Sequence, residues 1–292
     1  MIIAKLMGGL GNQMFQYAAA RGLAEKRATT VKLDRSWFDN VAAVDSPRHY
    51  ELDCFTLDQS TVDPNKLALT NKREATPKSK FYDLTKGYFK PRILAYKEAG
   101  HGFDSTVLDL PDNTLLDGYW QTERYFLHVR QDILEAFTFA HSPSKQNARL
   151  LQEIKATQAV SLHVRRGDYA NNSATQEFHG LTGLDYYKTA SKQLAKQVPG
   201  AHFYIFSDDP EWCQKNLKLP FPTTYITHNQ VGSEDMRLMV RCKHHIIANS
   251  TFSWWGAWLN PRTDKVVYAP KKWFNYPSMN SSDILPKEWI KL

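Results

Sequence analysis

Ala159-Val160-Ser161-Leu162-His163-Val164 runs directly into Arg165-Arg166-Gly167-Asp168. An apolar, β-branched run that breaks on charged residues and a glycine predicts a buried strand whose carboxyl end carries a polar loop. The same alternation continues downstream. Strand-like runs at residues 202–207, 223–227, 244–248 and 265–269 are separated by helix-like stretches at 184–198, 210–216, 233–241 and 251–259. Strands joined by helices are βαβ units, and a series of them builds a parallel, Rossmann-like sheet.

Toward the amino terminus the pattern starts again. Residues 2–6 form a short apolar run, Gly8-Gly9-Leu10-Gly11 punctuates it, and residues 14–27 have helical apolar spacing with many good helix formers. Residues 30–33 return to a β-branched run, which completes a βαβ beginning. Residues 39–113 carry scattered prolines and charges and read as loops and short helices, followed by a strand at 115–119 and a helix at 123–136. The polar segment 141–147, with Pro143 inside it, is the best boundary. The expected class is therefore α/β with two Rossmann-like lobes, residues 1–147 and 148–270, and a tail at 271–292 expected to pack back on the first lobe.

Composition narrows the partners. The chain has 292 residues, 42% hydrophobic and 23% charged, a globular usage that excludes extensive disorder. A net charge of +7 suits anionic partners such as nucleotide phosphates or an anionic lipid surface. The cations are scattered, with Lys271-Lys272 the densest pair near the end, so nucleic acid is not an expected partner. Three widely spaced cysteines, Cys54, Cys213 and Cys242, form no metal-type spacing and are expected to be reduced thiols. No secretory pattern and no apolar run of about 18 residues is visible, so a cytoplasmic protein with at most peripheral contact at the inner membrane is expected. Eight Trp and fourteen Tyr supply either a large aromatic core or sugar-stacking surfaces.

In an open parallel sheet, ligands bind outside the carboxyl ends of the strands. Three polar clusters fall there: His163-Val164-Arg165-Arg166-Gly167-Asp168, Ser207-Asp208-Asp209, and Asn249-Ser250-Thr251 entering the helix with Trp254-Trp255. Two arginines supply planar, permanently charged donors for a diphosphate. Ser250 and Thr251 open a helix whose free N–H groups and dipole favour an anion. Arginine from one strand end and a helix start from another make a clamp for a pyrophosphate leaving group. Blander roles stand beside these: Arg165 bridging Asp168, and Ser250 as a plain N-cap. Asp208-Asp209 has the form of a metal-holding pair, but before Pro210 it also reads as a helix entry with Asp209 as the cap, which we favour. His244-His245 lie next to each other on a strand and point to opposite faces, so they do not readily share an ion. No metal and no cofactor are expected.

These stretches together carry a resemblance. Gly8-Gly9-Leu10-Gly11-Asn12-Gln13-Met14-Phe15-Gln16-Tyr17 is similar to the N-terminal signature of the α-1,2-fucosyltransferase family. His163-Val164-Arg165-Arg166-Gly167-Asp168-Tyr169 resembles the H-x-R-R-x-D motif shared by α-1,2-, α-1,6- and protein O-fucosyltransferases. Asn249-Ser250-Thr251-Phe252-Ser253-Trp254-Trp255-Gly256-Ala257-Trp258-Leu259 resembles the family's third signature, and the compact chain looks like a bacterial member. The resemblance implies a GT-B arrangement of two Rossmann-like lobes facing across a cleft, inverting transfer from GDP-fucose, and a galactose-terminated acceptor. It implies Arg165 on the β-phosphate, His163 on the guanine or its ribose, Asp235 on guanine, and the hydroxyls of Ser250 and Thr251 on the phosphates. Arg166, Gly9 and Gly11 would complete the donor contacts, and Asn12 would lie near the reaction centre. No motif carboxylate is singled out as general base; for Asp168 a structural bridge is the better role.

Within the transferase reading, another nucleotide-sugar donor on the same GT-B architecture is the nearest rival, and two competing classes remain beside it. The N-terminal glycine turn, with Asp34 at the distance of a ribose partner, has the form of an NAD site, although Met14 stands where a third glycine belongs. A carbohydrate-binding protein without catalysis would use the Trp and Tyr surface. The irregular residues 39–113 are expected to set acceptor choice, because loops on a scaffold carry such differences.

Overall fold

The computed structural model describes residues 1–43, 48–71, 92–167, 182–275 and 281–292. Two compact units divide the chain, Met1–Ala140 and His141–Leu292. The first holds β1 (Ile2–Lys5), α1 (Leu10–Lys26), β2 (Val31–Asp34), β3 (Ala68–Asn71), β4 (Arg92–Lys97), β5 (Thr114–Asp117) and α2 (Arg130–Ala136). Its strands lie in the order β2-β1-β5-β4-β3 and pair in parallel throughout.

The second unit holds α3 (Lys145–Ala156), β6 (Gln158–Val164), α4 (Leu184–Gln197), β7 (Ala201–Ser207), α5 (Pro210–Asn216), β8 (Thr223–Tyr225), α6 (Gly232–Arg241), β9 (His244–Ile246), α7 (Thr251–Trp258), β10 (Val267–Ala269) and β11 (Ile290–Lys291). Here the order is β11-β10-β9-β6-β7-β8, again all parallel. The chain builds outward from β6 to β7 and β8, then returns to β6's other side for β9, β10 and β11. The order reverses between β6 and β9, and loops leaving neighbouring strands there run apart and open a crevice. The α/β class and a Rossmann-like parallel sheet in each unit agree with the sequence.

Several local expectations are corrected. Helix α1 begins at Leu10 rather than after Gln13, so Gly11, Asn12 and Gln13 form its first turn. Gly8 ends the strand in the left-handed region (φ 74°), and the Glu51 carboxylate accepts the Leu10 N–H at 2.9 Å. Gln13 fixes the turn from inside, donating to the carbonyls of Gly8 and His49 and accepting from the Glu51 N–H. These tertiary bonds override the low helix propensity of glycine.

Residues 39–113 contain β3 and β4 rather than loops and short helices alone; both are short and partly solvent-facing, with Leu69 and Arg92 exposed. Residues 123–136 are two 3₁₀ turns and then α2, and the polar boundary segment runs into α3. In the described part of the tail, β11 adds to β10 as an edge strand, and the Trp254 indole donates to the Ile284 carbonyl at 2.8 Å.

The aromatic residues are mostly core. Trp120, Trp254, Trp255, Trp258, Trp273 and Trp289 are all buried. Three of them line α7, where Trp254 and Trp258 stack with centroids 6.0 Å apart and Trp255 packs edge-on. Each such side chain contributes roughly 4–6 kcal/mol of burial as an upper estimate. They anchor the helix whose first residues enter the crevice. In the first unit, α1 lies so close to the 123–126 turn that a Cβ on Gly22 would overlap the Tyr125 carbonyl oxygen. Gly22→Ala should therefore lower stability by about 1–3 kcal/mol or prevent folding, read as a reduced denaturant midpoint at unchanged slope.

Candidate functional site at the carboxyl ends of the second sheet

The β6–β7 register pairs Val164 with Ser207. The next residues on each strand, Arg165 and Asp208, are thereby brought level. An Arg165 Nη1 donates to Asp208 Oδ2 at 2.8 Å, and the other carboxylate oxygen accepts the Arg166 N–H at 2.8 Å. One carboxylate thus ties down the guanidinium and the backbone that carries it. Gly167 makes room for this, because a Cβ there would stand 2.8 Å from Asp208 Oδ2.

Arg166 turns the other way. Its guanidinium lies 3.7 Å over the Trp212 ring and reaches Asp209 at 3.5 Å. Asp209 also caps α5, accepting the Trp212 N–H at 3.1 Å with Pro210 in the first turn. Both aspartates are engaged with arginines and backbone rather than facing one shared ion. Among the described residues no group of three His, Cys, Asp or Glu gathers as a metal site. His244 accepts the Val266 N–H, whereas His245 bonds to Ser161 and Asn260. Asp168 lies outside the described residues, so its pairing with Arg165 has no structural account.

His163 sits one residue before the end of β6, 4% exposed, with its ring 5.5 Å from that of Phe252. Burial lowers its pKa to about 4, with Arg165 acting in the same direction and Asp208 opposing. The imidazole is therefore neutral at physiological pH. Its buried Nδ1 has no hydrogen-bond partner among the described residues. A buried polar atom left this way is costly, and a ligand group is one of the standard explanations.

Across the reversal point, β9 leads into Asn249, which accepts from the Thr182 hydroxyl at 2.9 Å and donates to the Trp273 carbonyl at 3.3 Å. Ser250 takes the N-cap position of α7 in an extended conformation, yet its side chain makes no capping bond. The first intrahelical bond runs from Trp254 N–H to the Ser250 carbonyl. The N–H groups of Thr251, Phe252 and Ser253 consequently have no partner in the preceding turn. The start of α6 belongs to the same neighbourhood, since a Cβ on Gly232 would meet the Phe252 ring at 3.3 Å.

In the first turn of α6, Asp235 accepts from Asn229 at 2.7 Å. Burial raises its pKa to about 6, with Glu234 adding and the Asn229 bond opposing. Around it runs a network that sequence reasoning missed. Asn147 donates to Asn229 and Glu234 and bonds to His228, while Glu234 holds Arg237. No local signal marks it, because its members come from α3, α6 and the loop after β8.

The remaining candidates, Gly9, Gly11 and Asn12, are in the first unit. Gly9 is the N-cap of α1 and Gly11 is buried in its first turn. The Glu51 carboxylate already occupies the anion position at that helix start, and Asp34 accepts the Ser36 N–H, an arrangement opposed to a bound dinucleotide.

A neutral buried imidazole, a fixed guanidinium and an open helix start lie at the reversal point of a parallel sheet, an arrangement whose chemistry suits an anionic ligand. Sequence comparison gives the class. The family model for Glycosyl transferase family 11 matches residues 76–292. The chain is 32% identical over 299 residues to an alpha-1,2-colitosyltransferase of Escherichia coli, covering 100% of this chain and 98% of that protein. It is 33% identical over 318 residues to an O-antigen biosynthesis glycosyltransferase of Escherichia coli, covering 98% and 99%. A galactoside 2-alpha-L-fucosyltransferase of Bos taurus is 28% identical over 152 residues, 49% of this chain and 41% of that one. A crystal structure of the NodZ alpha-1,6-fucosyltransferase soaked with GDP-fucose is similar at TM-score 0.49 and 14% identity, over 91% of this chain and 94% of that chain. The chain belongs to glycosyl transferase family 11, the α-1,2-fucosyltransferase family, and is a glycosyltransferase. Among the described residues no helix is long and apolar enough to cross a membrane.

Asp208→Ala should cost about 1–2 kcal/mol of stability, since it removes a charge-assisted bond and orphans the Arg166 N–H. Asp208→Asn keeps one oxygen for that N–H and should lose less, and equal losses in denaturant titrations would show that the carboxylate does not have this double role.

Proposed function

We propose that the chain transfers fucose from GDP-β-L-fucose to the 2-hydroxyl of a terminal galactose, with inversion and without a metal ion. The observation that carries this reading is the set Arg165–Asp208 beside the unpartnered Nδ1 of buried His163. In it, Arg165 binds the β-phosphate, and the Ser250 and Thr251 hydroxyls with the first N–H groups of α7 bind the remaining diphosphate oxygens. His163, neutral and lacking a partner, takes a ribose hydroxyl or a guanine edge. Asp235 accepts from the N–H groups of guanine, and Arg166, fixed on Trp212, adds its charge to the field around the diphosphate. Gly9 and Gly11 keep the turn before Asn12 free of side chains, and Asn12 serves the reaction centre.

The chemistry follows from charge. The bond between the fucose anomeric carbon and the β-phosphate oxygen breaks while the galactose O2 bonds to that carbon from the opposite face and releases its proton to solvent. Negative charge grows on the departing GDP as positive charge grows on the sugar. A guanidinium fixed in advance stabilises that charge without reorganising during the reaction. The galactoside acceptor is supported by the name of the bovine relative.

A second donor is favoured by one finding, the full-length similarity to an alpha-1,2-colitosyltransferase. Colitose is fucose without its 3-hydroxyl, so the same GDP-binding set serves both. Side-by-side rates with GDP-fucose and GDP-colitose on lactose decide between them. A clear preference for colitose would transfer the reading to that sugar and leave the GDP contacts as they stand.

Arg165→Ala should lower kcat by about 10²–10³-fold, the scale of one lost donor to a developing anion. Wild-type transfer to lactose should give a 2′-linked product at the same rate with and without EDTA; loss of turnover in EDTA, restored by added metal, would refute the metal-free clamp. A pH dependence follows from Asp235, whose pKa near 6 keeps it ionised at neutral pH. As pH falls through about 6 the carboxyl protonates and loses acceptor capacity, so KM for the donor should rise. Asp235→Asn should raise KM at pH 7 and flatten that rise. A wild-type KM unchanged between pH 7 and 5 would remove Asp235 from the guanine site.

A further inference from the structure

At the centre of the first sheet, β5 lies beside β1 and both strands end at the same edge. The registers pair Ala4 with Leu116 and Lys97 with Asp117. Lys5 therefore lies beside Asp117, which it meets at 2.8 Å, and Glu98 lies level with Gly118. From Gly118 the chain makes a tight turn through Tyr119 and Trp120 to Gln121. Glu98 clamps that turn, accepting the Tyr119 N–H at 2.6 Å and the Trp120 N–H at 3.0 Å. Trp120 is held in the left-handed region (φ 56°) and is buried against Tyr125. A bulky residue in that conformation is unusual, and such strain clusters at functional sites.

The turn delivers Gln121 to one place. Its Nε2 donates to Asn12 Oδ1 at 3.0 Å. Asn12 is half-exposed, while every other residue from Leu10 to Ala20 is buried. Gly8 leaves room on the other side of the amide, since a Cβ there would stand 2.7 Å from Asn12 Nδ2. With its oxygen engaged by Gln121, the Asn12 amide presents its N–H₂ end. The Gln121 Oε1 is buried and has no partner among the described residues.

We propose that Gln121 is a positioning residue for the transfer: it fixes the Asn12 amide with its N–H donors directed to the reacting sugar oxygens. The inference rests on the transferase reading, in which Asn12 serves the reaction centre. An amide free to rotate would present its carbonyl half of the time and repel an oxygen gathering negative charge. Glu98 and the strained Trp120 explain why the turn is built rigidly, because an orienting bond works only when its donor is itself held.

The test is a double-mutant cycle on kcat, with KM for the donor and Tm measured for each variant. Gln121→Leu, similar in size but without the donor, should lower kcat about tenfold and leave KM for GDP-fucose unchanged. In an Asn12→Ala background the same change should do almost nothing, because the amide it orients is gone. Gln121→Glu replaces the donor by an acceptor and should turn the Asn12 amide around, lowering kcat at least as far with Tm preserved. It also serves if Gln121→Leu fails to fold. Losses that simply add in the cycle, or full kcat in either single variant, would overturn the positioning role and leave the function standing. A wild type that transfers neither fucose nor colitose would overturn both.

Discussion

The carboxylate of Asp208 takes a guanidinium on one oxygen and a backbone N–H on the other, and the strand edge of the second unit is organised around that pair of bonds. Neither bond is remote in geometric terms. Parallel pairing of β6 with β7 places the first residue after each strand side by side, and the absence of a side chain at Gly167 lets the carboxylate come close. Exposed ion pairs contribute little on average, because two long side chains must be ordered in water. This pair is three-quarters or more buried at both side chains and is reinforced by the backbone bond, so its geometry is set by the fold. An arginine fixed before the ligand arrives loses little freedom when it binds a phosphate, and pre-organisation of that kind gives electrostatic stabilisation its force.

Burial then sets the protonation states around the arginine. His163, enclosed beside a permanent cation, is kept neutral and offers hydrogen-bonding capacity without adding charge. Asp235, also desolvated, is shifted the opposite way yet stays ionised at neutral pH. The same physical cause acts with opposite signs on a base and an acid. The outcome is a set of distinct groups, a cation after β6, a neutral ring within β6 and an anion in the first turn of α6.

Much of this was legible in the sequence because the strand ends are marked locally. The apolar runs before Arg165, Ser207 and Asn249 identify β6, β7 and the approach to α7, and topology brings their ends to one edge. The partner of Arg165 was not legible. Asp208 lies 42 residues beyond Arg166 and is chosen by strand register, whereas sequence distance favoured Asp168. The start of α1 was hidden for a related reason. Glycine at positions 8, 9 and 11 reads as a loop, but Glu51 and Gln13 satisfy the helix terminus from tertiary contacts. Strands β3 and β4 escaped notice because short, half-exposed edge-side strands lack the apolar run that marks a buried one.

The carboxyl edges of the two sheets, each within its own unit, differ in how the protein treats its own polar groups. In the first, the helix start has its own carboxylate in Glu51, Lys5 is matched by Asp117, and Glu98 takes up two backbone N–H groups. Among the described residues there, Lys5 and the helix start are each answered by an acid. In the second, α7 opens without a side-chain cap, His163 keeps an unused nitrogen, and two arginines stand at the edge. Helix N-termini attract anions, and one that already has a carboxylate has lost most of that pull. In the transferase reading proposed above, the uncapped start of α7 and the unused His163 nitrogen are what favour the second sheet for the nucleotide. On that same reading, a neutral sugar recognised by amide and hydroxyl bonds suits the Asn12 and Gln121 amides of the first unit.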